Sequence, residues 1–346
     1  MATVWFILLG FMLTMYVLLD GFDLGAGAIH LVAARDDAER RMILRAIGPV
    51  WDGNEVWLIA TGGTLFFTFP LLYASSFSGF YLPLTIVLWL LMLRGLAIEL
   101  RAHGDNPLWA TFWDGLFFLG SALLAFFFGA ALGNVVRGVS LDASGYFFAP
   151  LWTTFDPRSP VPGILDWYTV LIGLLALAAL VLHGAHWIAL KTEGALHDRC
   201  RRIARTAWIA TMVLTATGTL ATFALRPALF ARFTDYPWGF IFPAAALGGL
   251  VAVGWLGRTQ RDGAGFLASG AYLIGMLAST AFGLYPNVLP AVDPAHSLTI
   301  RNAAAPRYGL LVGLAWWSIG MVLAAIYFLL IYRLFRGKVR MTDEGY

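Results

Sequence analysis

Charge is scarce in this chain. Asp, Glu, Lys and Arg make up 12% of its 346 residues, against about 25% in a soluble domain. The deficit runs along the whole length and excludes an ordinary soluble globule. Cysteine is scarcer still. Cys200 stands alone, which rules out a disulfide framework and a Cys-based metal or iron–sulfur site within the chain; its charged surroundings predict a loop. No Walker loop, no GxGxxG step opening a helix, no Ser/His/Asp arrangement and no basic face for nucleic acid is present. Met1-Ala2-Thr3-Val4 lacks the positive region of a signal peptide, so the N-terminal helix is expected to be retained.

What the chain has instead is apolar length. Hydrophobic residues make up 60% of it and the mean hydropathy is +0.75. The pattern predicts an all-α polytopic membrane protein with nine transmembrane helices at about 5–33, 54–72, 78–100, 114–136, 165–190, 205–225, 238–256, 265–285 and 308–333. The first is long enough to tilt or protrude. Lys and Arg set the orientation. With the N-terminus outside and the C-terminus inside, 16 of the 23 fall in cytoplasmic segments and 6 outside, with Arg94 within a span. A Pro-rich outer loop then divides two helical halves. The expected organisation is a first four-helix bundle over 1–137, a periplasmic loop over 138–164, a second four-helix bundle over 165–285, and over 286–346 a loop, a peripheral ninth span and a cytoplasmic tail. The abundant Phe and Trp are expected mostly at the lipid face and in interfacial belts.

Acids inside this apolar frame demand a reason. A carboxylate at the bilayer centre costs roughly 2.5–3.5 kcal/mol on insertion scales. Asp20 and Asp23 lie past the midpoint of span one, about 60° apart around the helix. Gly21 and Gly25 form a GxxxG step on another face, open to close approach by a neighbouring helix. Asp52 and Glu55 stand at the start of span two, and Glu99 and His103 share a face near the end of span three. Six protonatable groups from three spans thus gather toward the cytoplasmic half, the pattern of a proton-uptake path. Structural readings compete. Asp52 is placed to cap a helix, Glu55 to complement a helix dipole, and Glu99 and His103 to end a helix in water. His183 and His186 have the i,i+3 spacing of a shared metal site, and one His suffices for a haem, yet packing or hydrogen bonding accounts for them equally. A free-standing ion- or proton-coupled transporter also places acids in mid-membrane.

The motifs then match a family. Leu19-Asp20-Gly21-Phe22-Asp23-Leu24-Gly25, Gly48-Pro49-Val50-Trp51-Asp52-Gly53-Asn54-Glu55-Val56-Trp57-Leu58 and Phe77-Ser78-Gly79-Phe80-Tyr81 resemble subunit II of the cytochrome bd-type quinol oxidases. So do Gly133-Asn134, Lys191-Thr192-Glu193-Gly194, Tyr285-Pro286 and Asn302-Ala303-Ala304. The resemblance implies a respiratory complex of a bacterial plasma membrane that oxidises quinol and reduces O2 to water, electrogenic without pumping. It implies no catalytic residue and no haem on this chain. Haems b558, b595 and d belong to subunit I, against which this chain packs as a pseudosymmetric partner. Some members also hold a structural quinone in this subunit or add a small single-span accessory subunit. Carried over by position, Asp20, Asp23 and Asp52 match buried acids of a cytoplasmic proton path, and Glu99 matches an acidic position at its mouth. His103 stands where some relatives have lysine. Trp51, Asn54 and Glu55 are placed to support the path. His183 and His186 align with uncharged polar residues of relatives.

Overall fold

In the computed structural model, residues 1–339 are described apart from positions 105, 258 and 260. Arg258, one of the 16 counted as cytoplasmic, and the cytoplasmic tail from position 340 lie outside the described residues. Twelve α-helices carry the described chain. They are α1 (Ala2–Ala33), α2 (Asp37–Ile47), α3 (Trp51–Thr68), α4 (Pro70–Gly79), α5 (Tyr81–Leu100), α6 (Pro107–Arg137), α7 (Trp167–Lys191), α8 (Gly194–Leu225), α9 (Pro227–Asp235), α10 (Ile241–Leu256), α11 (Asp262–Leu284) and α12 (Arg307–Leu334). Two short antiparallel strands, β1 (Asn287–Leu289) and β2 (Leu298–Thr299), pair between α11 and α12, with Asn287 opposite Thr299.

Eight described helices are long and apolar enough to cross a membrane: α1, α5, α6, α7, α8, α10, α11 and α12. The expected second span is not among them. Instead of running from 54 to 72, the chain breaks at Phe69, whose backbone (φ −133°, ψ 68°) leaves the helical region ahead of Pro70. A residue before proline is pushed out of the α basin, and proline has no N–H to continue the ladder. The same break recurs at Arg226 (φ −132°, ψ 69°) ahead of Pro227. The order long helix, broken helix, short helix and two further long helices therefore occurs twice, as α1-α3-α4-α5-α6 and α7-α8-α9-α10-α11. Only α2 interrupts the first series.

Caps place other boundaries. Asn106 accepts from Leu108 N and Pro107 occupies the first turn, so α6 begins seven residues before the expected 114. Asp166 caps α7 in a reciprocal capping box with Thr169. Cys200 does not lie in a loop. It sits fully buried inside α8, which starts at Gly194 rather than 205. Its charged neighbours are accommodated because Arg199 pairs with Glu39 and donates to Ala33 O, while Arg201 reaches Asp262 and Gly257 O.

α1 and α7 form the centre. α1 packs on α3, α6, α7 and α11, and α7 packs on α1, α6, α8 and α11. Where they cross, a Cβ on Gly25 would strike the Leu180 carbonyl, and one on Gly184 would strike the backbone of Gly25 and Ala26. α12 lies at the rim with only Leu310 fully buried. Not all tryptophans face outward: Trp5, Trp51, Trp57, Trp113 and Trp187 are buried in the core.

Candidate functional site

The site is built where α1 meets α3, α5 and α12. Asp20 and Asp23 are both fully buried, but they have different partners. Arg94 of α5, itself fully buried, grips Asp20 with two nitrogens, Nη2 to Oδ1 at 2.5 Å and Nη1 to Oδ2 at 3.0 Å. Two-point pairing of this kind is what a buried carboxylate requires to stay in an apolar interior. Asp23 has no cation of its own. Its Oδ2 accepts from Asn54 Nδ2 at 2.8 Å, and its Oδ1 is buried with no protein partner. Asn54 Nδ2 also reaches Leu19 O at 3.3 Å, and Asn54 Oδ1 accepts from the Tyr332 hydroxyl of α12 at 2.9 Å. The Tyr16 hydroxyl, one turn before Asp20 on α1, is likewise buried without a partner.

α3 supplies a graded approach. Trp51 is buried against Gly95 of α5, Asp52 is exposed and Glu55 is half-buried. The helix starts at Trp51 with Val50 as its N-cap and no side-chain cap bond, so the capping reading of Asp52 is corrected. Asp52 lies in the first turn, where the helix dipole favours an acid. Glu55 interacts electrostatically with Arg94, Asp20 and Asp52, which links the exposed acid to the buried pair. Glu99 and His103 do not join this group. Both are exposed, and His103, in a short 3-10 turn after α5, bonds through Nδ1 to the Glu99 carbonyl oxygen at 2.8 Å. Neither bonds to Asp20, Asp23, Asp52 or Glu55.

Sequence reasoning passed over Arg94 and Tyr332. A lone arginine inside an apolar span is the signal that finds Arg94, since such a cation requires an anion within reach. Nothing in the local pattern around Tyr332 marks it. A second polar network was also passed over. Asp114 of α6 accepts from Arg101 Nε at 2.5 Å and Arg40 Nη1 at 3.3 Å, and it pairs with His30 Nε2 at 2.7 Å. Arg101 continues to Asp37 at 2.7 Å. This knot ties α1, α2, α6 and the end of α5. Partial burial acts to raise the Asp37 carboxyl, but Arg101 and Arg41 outweigh it and hold it below its ordinary 3.8.

The histidines of α7 point at α11. His183 bonds to Ser269 Oγ at 2.7 Å and Leu18 O at 3.1 Å, and stacks on Phe266 at 4.4 Å. His186 lies so close to Gly265 that a Cβ there would stand 2.9 Å from its Nδ1. Both nitrogens of His183 are engaged, whereas both nitrogens of His186 are buried with no protein partner. Among the described residues no group of three or more His, Cys, Asp or Glu is arranged for a metal.

Residues 1–335 match the family described as cytochrome bd terminal oxidase subunit II. A Haemophilus influenzae protein named probable cytochrome oxidase subunit 2 is 32% identical over 97% of this chain and 94% of its own length. Cytochrome bd ubiquinol oxidase subunit 2 of Bacillus subtilis is 30% identical over 89% of this chain and 88% of its own. A chain of the bd oxidase from Geobacillus thermodenitrificans superposes with a TM-score of 0.65, covering 96% of this chain and 98% of that one; at 11% identity this is a likeness of fold. With the whole helical array inside the family match, and acids buried among its spans, the chain belongs to the cytochrome bd terminal oxidase subunit II family.

Proposed function

We propose that this chain is the non-haem subunit of a bd-type quinol oxidase in a bacterial plasma membrane, and that it feeds protons from the cytoplasmic side toward its haem-bearing partner. Electron transfer from quinol to O2 belongs to haems b558, b595 and d of subunit I. The proposed architecture has nine crossings, with the broken α3–α4 pair counted as the second. It runs N-out and C-in, as two four-helix bundles over 1–137 and 165–285 with α12 peripheral. Under that orientation α2 and the start of α3 face the cytoplasm.

Each O2 reduced to water consumes four protons. Taking them from the cytoplasm stores energy without a pump, since one charge moved against 100 mV is worth about 2.3 kcal/mol. Exposed Asp52, half-buried Glu55 and buried Asp23 form a series from water into the bundle. The observation that carries the reading is the unpartnered Oδ1 of Asp23. It accepts a proton without breaking a protein hydrogen bond, whereas both oxygens of Asp20 are held by Arg94. Asp20–Arg94 therefore serves as the fixed charge pair beside the carrier. Glu99 at the end of α5 and His103 in the turn after it are exposed at the same end and act as surface proton collectors.

Replacing Asp23 by Asn in the purified complex removes the carrier and preserves the shape. Quinol-dependent O2 consumption is expected to fall at least about tenfold with the haem spectrum unchanged. A wild-type rate and pH dependence in that variant refutes the assignment. Purification also separates this reading from a transporter: the oxidase subunit co-purifies with a haem-bearing partner, whereas a transporter is active alone.

A further inference from the structure

The least enclosed of the long helices reaches into the bundle with a polar side chain near its end. α12 has a single fully buried residue, yet the chain just past its end is strapped to the end of α7. Lys191 Nζ donates to Phe335 O at 2.6 Å, Lys338 Nζ to Thr192 O at 2.7 Å, and Val339 N to Lys191 O at 2.8 Å. Within that strapped end Tyr332 turns inward, its ring 6.2 Å from Trp187 and 6.5 Å from Phe22, and its hydroxyl meets Asn54 Oδ1.

We propose that Tyr332 is a positioning residue for proton delivery, holding the Asn54 amide so that its donor end faces Asp23. This rests on the reading of Asp23 as the carrier. A primary amide has one acceptor oxygen and one donor nitrogen. Asn54 Nδ2 faces two acceptors, Asp23 Oδ2 and Leu19 O, while Oδ1 faces the Tyr332 hydroxyl. Reversing the amide would set its oxygen against both acceptors and its nitrogen against the hydroxyl. A reversed amide could still donate to the hydroxyl oxygen, but the hydroxyl proton would then lose the one acceptor it has among the described residues, so the hydroxyl favours the orientation seen. Without it, the fully buried Oδ1 loses its donor, and the reversed amide becomes favourable whenever Asp23 carries a proton to donate. Tyr332, together with Leu19 O, thereby biases the amide so that the carrier meets a donor. The charged and titratable groups around it are Asp23, Asp20 and Tyr327; those around Asp23 are Asp20, Arg94 and Glu55. From α7 the nearest cation is Lys191, over the Trp187 ring at 4.8 Å.

The test is the pH profile of quinol-dependent O2 consumption in the assembled complex. Tyr332→Phe keeps the ring and its packing. Its profile is expected to move by about one pH unit, with haem content unchanged and at most a modest fall in the thermal midpoint. In an Asn54→Ala background the same substitution is expected to add nothing, because the hydroxyl acts only through the amide. A Tyr332→Phe profile that superimposes on wild type while Asn54→Ala moves it overturns the proposal and leaves the carrier reading intact. If neither variant moves it, the proposal falls, and a wild-type rate in Asp23→Asn shows that the carrier reading has fallen with it. Should Tyr332→Phe fail to assemble, Lys191→Met loosens the strap, and a displaced profile is again expected; an unmoved one overturns the proposal.

Discussion

Two aspartates three positions apart in one helix have different fates. Asp20 is one half of a buried ion pair, and Asp23 is held by a neutral amide with an oxygen to spare. The first is a matter of stability. Removing one member of a buried pair leaves the other charge uncompensated at a cost of about 3–5 kcal/mol, whereas replacing both is often close to neutral. Arg94→Gln is therefore expected to lower the thermal midpoint and yield of the complex sharply, and adding Asp20→Asn is expected to recover much of the loss. Equal stability of the single variant and wild type would show that the pair does not hold α1 to α5. The acids themselves are legible in the sequence because a charge in an apolar run is conspicuous. What holds them is not, since Arg94 stands 74 positions from Asp20 and Tyr332 stands 278 from Asn54, the amide that holds Asp23, and only packing brings them in.

The helices are set by close approach as much as by apolar burial. Within a membrane there is little hydrophobic gain from pressing helices together, so small residues that admit backbone contact decide which helices pair. Gly25 and Gly184 show this at the α1–α7 crossing, where a side chain would meet backbone atoms that have no room to yield. Gly184→Val is expected to cost about 3 kcal/mol or more, read as a lower midpoint and reduced co-purification with the partner subunit. Gly62 and Gly63 of α3 have open space around them, and Gly→Ala there is expected to be neutral or to stabilise by a few tenths to about 1 kcal/mol. Equal effects at both places would contradict the packing account. The GxxxG step in α1 is visible in sequence; its partner Gly184, set between two histidines, carries no mark of that role.

Across the whole molecule, polar knots close both ends of an apolar array. At the α2 end Asp114 gathers His30, Arg40 and Arg101. At the opposite end Arg137, closing α6, pairs with Asp166 at the head of α7, donates to Gly163 O at 3.0 Å, and reaches Asn134 Oδ1 at 2.7 Å. That knot binds the connecting loop to the two helices it joins. Asp166→Ala removes both the ion pair and the cap of α7, and is expected to destabilise by about 3–5 kcal/mol, with faster proteolysis of the 138–164 loop as the readout. A loop as protected as in wild type would show that the knot is dispensable.

Composition and hydropathy by themselves determined the class of this protein, because an apolar chain with few charges has nowhere to fold but a bilayer. They also determined most helix positions, since each crossing must satisfy its own backbone over about 20 residues. The motif around Asp20 and the run from Gly48 to Leu58 carried the family. Proline at 70 broke the helix that hydropathy ran from 54 to 72, while the span ending at 225 agrees with the break ahead of Pro227. Tertiary structure decided which acid is paired and which is open, placed Cys200 in a core instead of a loop, and set Glu99 and His103 apart from the buried site. The reason is common to all of these. Hydrogen bonds and ion pairs are made between atoms, and which atoms meet depends on how helices rotate and pack, which no single segment encodes.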